Sequence, residues 1–315
     1  MCESKIMVSI ICNAYNHELY IRDALESFIM QKTSFAFEVL VHDDASTDKT
    51  ADIIREYEAK YPEIIKPIYQ TENQYSKGGG AVFNIQRERV SGKYIAFCEG
   101  DDYWTDPNKL QKQYEALEAH PEIDICAHAA LRVNAATGIA IDKVSPADSD
   151  TVLTVNDVIL GDGGYVASAS LFLRSTLFRD MPEFRRFLKL DYTMQIQGAL
   201  RGGMLYLADC MSVYRFLTPG SWTSKMSKSV EKTKKHTEKL RKMLCLLNEE
   251  TNFAYDEAIQ KRLLALDFNY FLSVGEEKRV LNKKYRNLFN ELSLTARIKI
   301  ILKAAFPFLK SIKKK

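Results

Sequence analysis

Short apolar runs alternating with amphipathic stretches dominate the first 120 residues. Residues 7–12 form an apolar run of the length that a buried parallel strand shows, and a polar loop over residues 13–17 follows. Helical periodicity then puts Ile21, Leu25, Phe28 and Ile29 on one face across residues 18–30. A second apolar run, residues 38–42, enters Asp43-Asp44-Ala45-Ser46-Thr47-Asp48, where Ser46 or Thr47 is a natural N-cap for a helix over residues 51–57. Residues 64–69 predict a third strand, and Pro67, which cannot donate to a ladder, demotes it to an edge. A glycine-rich turn over residues 77–80 precedes a helix near residues 82–90. Residues 94–98 predict the next strand, ending in Glu99-Gly100-Asp101-Asp102-Tyr103-Trp104. Asp106 then caps a helix to about residue 119, with Pro107 at its first position.

Strands alternating with helices predict an α/β fold with a parallel sheet covered on both faces. Ligands of such sheets bind at the carboxyl ends of the strands. Three predicted strand ends bring residues 13–16, Asp43 with Asp44, and Asp101 with Asp102 to one rim. Beyond residue 126 the pattern loosens into short strands and loops to about residue 175. A helix over residues 191–200 and strands at 205–207 and 213–216 follow, and Pro219-Gly220-Ser221 breaks the pattern. The remainder reads as helices over residues 224–248, 254–273 and 276–290. The expected division is a body over residues 1–224, in halves 1–125 and 126–224, and a helical basic extension over residues 225–315.

Composition narrows the class. With 315 residues, 46% hydrophobic and 27% charged, the chain has the make-up of a globular protein, which excludes disordered and collagen-like chains. The six cysteines include no C-x-x-C pair, so thiols in a reducing compartment are expected rather than disulfides or zinc. Residues 1–5 do not open a signal peptide and no run of 18 apolar residues occurs, so the expectation is a cytoplasmic protein without a membrane span. The net charge of +3 hides an asymmetry. Residues 223–315 hold 22 Lys and Arg against 10 Asp and Glu, whereas residues 1–222 hold 22 against 31. Such a split concerns partners rather than fold.

Asp101 and Asp102 end a buried strand as adjacent carboxylates with no cation beside them in sequence. They read either as a solvated capping turn or as a site for a hard cation, since Mg2+ or Mn2+ is typically held by one or two carboxylates plus substrate phosphates. Gly100 would let the backbone approach such phosphates. A carboxylate of the Asp43-Asp44 pair can accept a base N–H, and Tyr15 can stack on that base or fill core. Arg87 reads equally as a phosphate contact or a solvated helix face, and Arg215 as a phosphate clamp or a surface ion pair. The turn at residues 77–80 matches neither phosphate-loop fingerprint. The loop over residues 13–17 lacks the glycines of a dinucleotide fold, which excludes such an oxidoreductase, and lacks the basic glycine-rich loop of a nucleotidyltransferase.

The order and spacing of Val8–Asn16, Val39–Asp48 and Gly92–Asp102 resemble the inverting family 2 glycosyltransferases of the GT-A type, of the kind that builds bacterial surface polysaccharides. The resemblance is firm over residues 6–125 and thins to about residue 224. It implies a GT-A fold, Rossmann-like with a mostly parallel sheet, followed here by a C-terminal helical extension. It also implies that Asn13, Ala14, Tyr15 and Asp44 hold the uridine of a UDP-sugar, that Asp101 contacts ribose or sugar, and that Asp102 binds Mn2+ or Mg2+. A carboxylate opening a later helix serves such enzymes as general base. The best match is Asp191, with Asp180, Glu183 and Asp162 as rivals and a plain helix cap as its ordinary reading. The Q-x-x-R-W signature of processive synthases is absent, which favours transfer of one sugar, from a UDP-sugar to a saccharide or lipid-linked saccharide acceptor.

The last segment, residues 294–315, mixes large apolar residues with seven cations and no acid, and Pro307 would kink it. It reads as a helix packed on the core or as an amphipathic helix on an anionic membrane surface, which would place the protein peripherally on the inner face of the cell membrane. Nucleic acid is not an expected partner, because no aromatic stacking platform accompanies the charge. A homo-oligomer is compatible with the helical extension. The rival functions are a nucleotidyltransferase and a non-catalytic, membrane-docked nucleotide-sugar binder.

Overall fold

In the computed structural model, residues 5–78, 80–218 and 229–306 are described, and the chain divides into units of residues 1–219 and 220–315. The expected boundary near residue 224 lies outside the described residues.

The first unit runs β1 (Ile6–Ala14), α1 (Ile21–Ile29), β2 (Ala36–Asp43), α2 (Thr50–Lys60), β3 (Ile65–Tyr69), α3 (Ala81–Arg89), β4 (Tyr94–Phe97), β5 (Tyr103–Trp104) and α4 (Lys109–Ala119). It continues through β6 (Ile125–Asn134), β7 (Ala140–Val144), β8 (Thr151–Leu153), α5 (Val155–Gly161), β9 (Phe172–Arg174), α6 (Thr176–Arg179), α7 (Glu183–Phe187), α8 (Asp191–Ala199) and β10 (Met204–Phe216). One sheet has the order β3-β2-β1-β4-β9-β6-β10-β5, with β7 beside β6 and β8 beside β10. β3, β2, β1 and β4 are parallel neighbours, as are β6 and β10, while β9 runs antiparallel between β4 and β6. The expected α/β architecture with a mostly parallel sheet is therefore present, and Pro67 lies on the edge strand.

Val8, Ile10 and Cys12 are buried on β1, and Ile21, Ala24, Leu25 and Phe28 of α1 join the same core. Burying apolar area of this kind contributes about 25 cal/mol per Å2. Trp104 locks the sheet to the α4 side: it is buried, meets Phe28 edge-on at 5.0 Å, and donates its indole N–H to the Ala169 carbonyl at 2.8 Å. The Nζ of Lys109 lies 3.8 Å from the Trp104 ring centre without a hydrogen-bond partner, and burial pushes its pKa down to about 7. The ring face partly offsets the lost hydration of that cation.

Several boundaries differ from expectation for local reasons. α2 starts at Thr50, because Ser46 and Thr47 are spent on the facing loop: Ser46 Oγ accepts the Asn16 N–H at 3.0 Å, and Thr47 N–H donates to Asn16 Oδ1 at 2.8 Å. Asp48 accepts the Thr50 N–H at 2.9 Å in their place. Pro107 precedes α4 rather than opening it, and Asp106 accepts the Asn108 N–H at 2.8 Å. The short strands expected at 205–207 and 213–216 are one strand, β10, whose pairing with β6 shifts register around Cys210. Likewise β6 is a continuous ten-residue strand, and α5 was not anticipated. Cys12, Cys98 and Cys126 are buried free thiols, whereas Cys210 and Cys245 are exposed.

The second unit contains helices Val230–Glu250, Asp256–Ser273, Glu277–Val280, Arg286–Glu291 and Leu294–Ala305. A core of Phe268, Val280, Tyr285 and Ile300 holds the later helices together. Burying Tyr285 breaks the single helix expected over residues 276–290: Asn282 caps a tight turn at Lys283–Tyr285 by accepting the Lys284 N–H at 3.2 Å. Among the described residues no helix is long and apolar enough to cross a membrane.

Gly202, in the turn from α8 to β10, has φ +76°, and a Cβ there would lie 2.6 Å from the Glu122 carbonyl oxygen. Gly202→Ala is expected to destabilise the protein by about 2 kcal/mol or more, read as a lowered urea midpoint at unchanged m-value.

Candidate active site

The parallel register of β1, β2 and β4 sets the geometry. Ala14 pairs with Asp43, the Cys98 N–H reaches the Ile11 carbonyl at 3.1 Å, and the Gly100 N–H reaches the Asn13 carbonyl at 2.9 Å. Residues 13–16, Asp43 with Asp44, and residues 99–102 accordingly share one rim.

Asn13 clamps Glu99. Its N–H donates to Glu99 Oε2 and its side-chain Nδ2 to Oε1, both at 3.2 Å. Buried Gln86 of α3 fixes the other end of the amide, donating to Asn13 Oδ1 at 3.1 Å and to the Leu40 carbonyl at 2.9 Å. Burial, reinforced by the charges of Asp191 and Asp101, pushes the Glu99 carboxyl up to about 8 against the pull of the Asn13 hydrogen bonds. Asp102 is buried as well, and burial with the neighbouring Asp101 charge raises its pKa well above the ordinary carboxylate range. The Arg215 backbone N–H, donating to Asp102 Oδ1 at 2.8 Å, works in the opposite direction.

Arg215 resolves as an internal brace. Its guanidinium pairs with Asp23, donates to the Asp101 carbonyl at 3.0 Å, and lies 4.5 Å from the Tyr103 ring centre and 5.2 Å from that of Tyr20. Gly100 is set by packing. A Cβ there would lie 2.9 Å from His17 Nδ1, 3.0 Å from Ile21 Cδ1 and 3.1 Å from Ala14 Cβ, so the β1–α1 connection dictates the glycine.

Asp44 accepts the Gln74 N–H at 2.7 Å, the Tyr75 N–H at 3.0 Å and a contact from His42 Nε2 at 3.3 Å, and thereby pins the segment after β3. Asp43 accepts the Ser46 N–H at 3.3 Å through Oδ2, while its Oδ1 is buried without a partner. Ala14 is buried, and Tyr15, which follows β1, is 40% exposed.

Asp191 is the first residue of α8 and accepts the Ser168 hydroxyl hydrogen bond through Oδ2. Its side chain remains open to solvent although protein surrounds it, and that enclosure raises its pKa; Ser168 and the Arg185 charge act in the opposite sense. Arg185 itself is buried against Phe83 and Phe178, which pushes it down to about 9. Of the four acids considered for the general base, Asp191 is the one whose charge acts on Glu99. Asp162 spends Oδ1 on the Gly164 N–H at 2.8 Å, and Asp180 and Glu183 flank the start of α7. Arg87 faces Lys189, whose pKa is lowered by burial and then by the Arg87 charge, and Lys189 Nζ donates to Asn84 Oδ1 at 2.9 Å. Trp222, Gly220 and Ser221 lie outside the described residues.

Glu99, Ser168 and Lys189 are the residues that sequence reasoning passed over. Glu99 carried a signal, an acid at the end of a buried strand three places before Asp102; Ser168 and Lys189 carried none.

Among the described residues no three His, Cys, Asp or Glu side chains form a ready-made metal cluster. The donor set nevertheless suits a hard cation completed by a ligand's own oxygens: Asp102 is a buried oxygen donor whose charge goes unmatched by its neighbours.

The family described as Glycosyl transferase family 2 matches residues 9–139. An uncharacterized protein of Mycobacterium tuberculosis is 37% identical over 217 residues, 69% of this chain and 61% of that one, so the chain spans under two thirds of that relative. A Bacillus subtilis protein named as a teichuronic acid biosynthesis glycosyltransferase, TuaG, is 38% identical over 117 residues, 37% of this chain and 44% of that one. Among solved structures, S. aureus TarS 1–349 in complex with UDP aligns with a TM-score of 0.61 at 19% identity, over 98% of this chain and 81% of that one. The mannosyltransferase PcManGT of Pyrobaculum calidifontis, in complex with GDP-Man and Mn2+, aligns with a TM-score of 0.50 at 16% identity, over 95% and 87%. The sheet with its flanking helices is thus the GT-A fold.

Because Glu99 is pushed up to about 8 from an ordinary 4.5, the folded state binds its proton more tightly than the unfolded state does. In chelator, the melting temperature is therefore expected to fall as pH rises from about 5 to 9. Glu99→Gln should reduce that slope in a pH series of thermal melts, leaving the part that the raised Asp102 and Asp191 contribute in the same direction.

Proposed function

We propose that the chain, which matches glycosyl transferase family 2 over residues 9–139, is an inverting glycosyltransferase moving one sugar from a UDP-sugar to a hydroxyl of a saccharide or lipid-linked saccharide acceptor. The observation that carries this reading is the convergence of Glu99, Asp101 and Asp102 on one rim with Asp191 acting across it. A donor arriving with a divalent cation draws the protons off such a cluster and matches the charge that its carboxylates then carry.

In this reading Tyr15 stacks on the base and the Asp43-Asp44 pair accepts its N–H; the unpartnered Asp43 Oδ1 joins Asp44 as a candidate acceptor. Asp101 contacts ribose or sugar and Asp102 holds Mn2+ or Mg2+. Bound there, the cation supplies Lewis-acid neutralisation of charge on the departing diphosphate. Arg87, whose charge acts on Lys189, meets phosphate oxygens in this reading. Asp191 takes the proton from the acceptor hydroxyl as it attacks the anomeric carbon, a single displacement that needs one base and inverts the configuration. The name of TuaG and the UDP bound to TarS support a UDP-sugar and a cell-surface polymer, while the GDP-Man of PcManGT makes GDP the nucleotide to exclude.

Thermal melts with UDP and with GDP, each with Mn2+ or chelator, test the donor site. UDP with Mn2+ at about 100 times its dissociation constant adds about 2.7 kcal/mol, a rise of several degrees. Asp102→Ala should lose that rise. A shift with GDP alone would replace the nucleotide, and no shift with either would turn the reading towards a protein without a donor site. Separately, Asp191→Asn should bind UDP as wild type does yet release it from the donor at least about 100-fold more slowly.

A peripheral location on the cytoplasmic face of the membrane belongs to the same reading. On helix Leu294–Ala305, Leu294, Ile298, Ile301 and Leu302 are each between 45% and 65% exposed and follow one another at helical spacing, while Ile300 and Ala304 face the core. Arg297 and Lys299 stand on either side of that stripe, while Lys303 lies 3.7 Å from Glu277 within the unit. Pro307 and the cations beyond it lie outside the described residues. Apolar side chains between cations suit an anionic lipid surface. The full chain should sediment with vesicles containing phosphatidylglycerol, bind those of phosphatidylcholine much less, and be released by Ile298→Ser with Ile301→Ser. Equal binding by that double variant would remove the helix from the membrane reading.

A further inference from the structure

We infer that Ser168 is a positioning residue for Asp191: its hydroxyl holds the carboxylate by Oδ2 and leaves Oδ1 to receive the acceptor's proton. This rests on Asp191 being the base. The turn Ser168–Ser170 that carries the hydroxyl is fastened on several sides. The Ala167 carbonyl accepts the Ser170 N–H at 2.9 Å and the Ser170 hydroxyl at 2.7 Å. The Trp104 indole holds the Ala169 carbonyl at 2.8 Å, and buried Gln113 holds the Ser170 carbonyl at 2.9 Å. Phe97, at the end of β4, donates its N–H to the Leu171 carbonyl at 3.2 Å.

The segment bearing Ser168 is thereby tied to β4 and β5, the strands that bracket Glu99, Asp101 and Asp102. Asp191 stands on a different element. The start of α8 is held by Thr193, whose Oγ1 accepts the Leu190 N–H at 3.2 Å, and by the Tyr192 hydroxyl donating to the Ile159 carbonyl at 2.5 Å. Those bonds fix its backbone, but a carboxylate in a first helical turn can still swing about χ1 and χ2. Among the described residues Ser168 is the hydrogen-bond partner of the Asp191 carboxylate, and therefore its link to the donor rim.

Arg185 of α7 acts on Asp191 by charge, and Asp191 in turn acts on Glu99 at the end of β4, but neither is hydrogen-bonded to it. Charge alone is not directional as a hydrogen bond is, so aim is left to Ser168. A hydroxyl donating to a carboxylate also favours its charged form, the form able to accept a proton. In the step, the acceptor's O–H proton passes to Asp191 Oδ1. The freed electron pair forms the new bond to the anomeric carbon, and the old carbon–oxygen bond leaves with the diphosphate.

The test uses the full chain with Mn2+ and UDP-N-acetylglucosamine, reading UDP release to water across pH for wild type, Ser168→Ala, Ser168→Thr and Asp191→Asn. Ser168→Ala is expected to lower kcat at least about 10-fold at unchanged KM, and to move the acid limb of the kcat profile up by about one pH unit. Ser168→Thr, which keeps the hydroxyl, should restore both. Thermal melts matching wild type exclude a folding defect. A Ser168→Ala profile and kcat equal to wild type, with Asp191→Asn inactive, overturns this role and leaves Asp191 as base. An Asp191→Asn protein as active as wild type removes the base, and the role of Ser168 falls with it.

Discussion

Crowded negative charge at the end of β4 is the constraint around which the first unit is arranged. Glu99, Asp101 and Asp102 lie within four residues, and Asp191 acts on Glu99 from another element. The neighbouring groups lessen the repulsion without cancelling it. Asn13 gives Glu99 two hydrogen bonds, and Arg215 gives Asp102 a backbone N–H and the attraction of its charge, while its guanidinium bonds to Asp23 and the Asp101 carbonyl. Leaving the acids under-compensated costs folding free energy and creates affinity for a cation.

The two halves of the sheet divide the work. The parallel half, β3-β2-β1-β4, carries three loops to one rim by register alone. The mixed half returns to that rim through long pairings: β10 runs far enough beside β6 to set Arg215 against Asp102, and β9 joins β4 to β6. Trp104 couples the halves, since its backbone pairs with Ser212 of β10 while its ring meets Phe28 of α1. Substitutions in this tryptophan's surroundings, including the buried Lys109, would therefore disturb the site without touching a ligand.

The parallel half and its rim were legible in the chain because buried parallel strands are written as unbroken apolar runs, and acids directly after them have few structural uses. The caps were less legible. Ser46 and Thr47 have the right chemistry for an N-cap, but Asn16, at φ 56°, competes for both from a loop thirty residues away. β10 read as two strands because Ala208-Asp209-Cys210 interrupts its apolar pattern where its pairing with β6 shifts register. Gly100 reads in sequence as a place for backbone to approach phosphates, and the structure adds a packing reason that sequence does not carry: its missing side chain makes room for His17, Ile21 and Ala14. Ser168 could not be found at all, since a serine hydrogen-bonded 23 residues away leaves no periodic trace.

Charge segregates with these roles. The body of the chain is acidic, with Glu99, Asp101 and Asp102 gathered at the end of β4, whereas the last 93 residues carry a surplus of positive charge. Their terminal helix turns Ile300 and Ala304 to its core and leaves Leu294, Ile298, Ile301 and Leu302 in solvent, an arrangement that folding of the unit does not require. Apolar area exposed beside cations is costly in water and is relieved at an anionic interface, where each cation near the surface adds about 1 kcal/mol. Charges exposed on that helix are screened by salt within about a Debye length, whereas Asp102, buried at the end of β4, is screened far less.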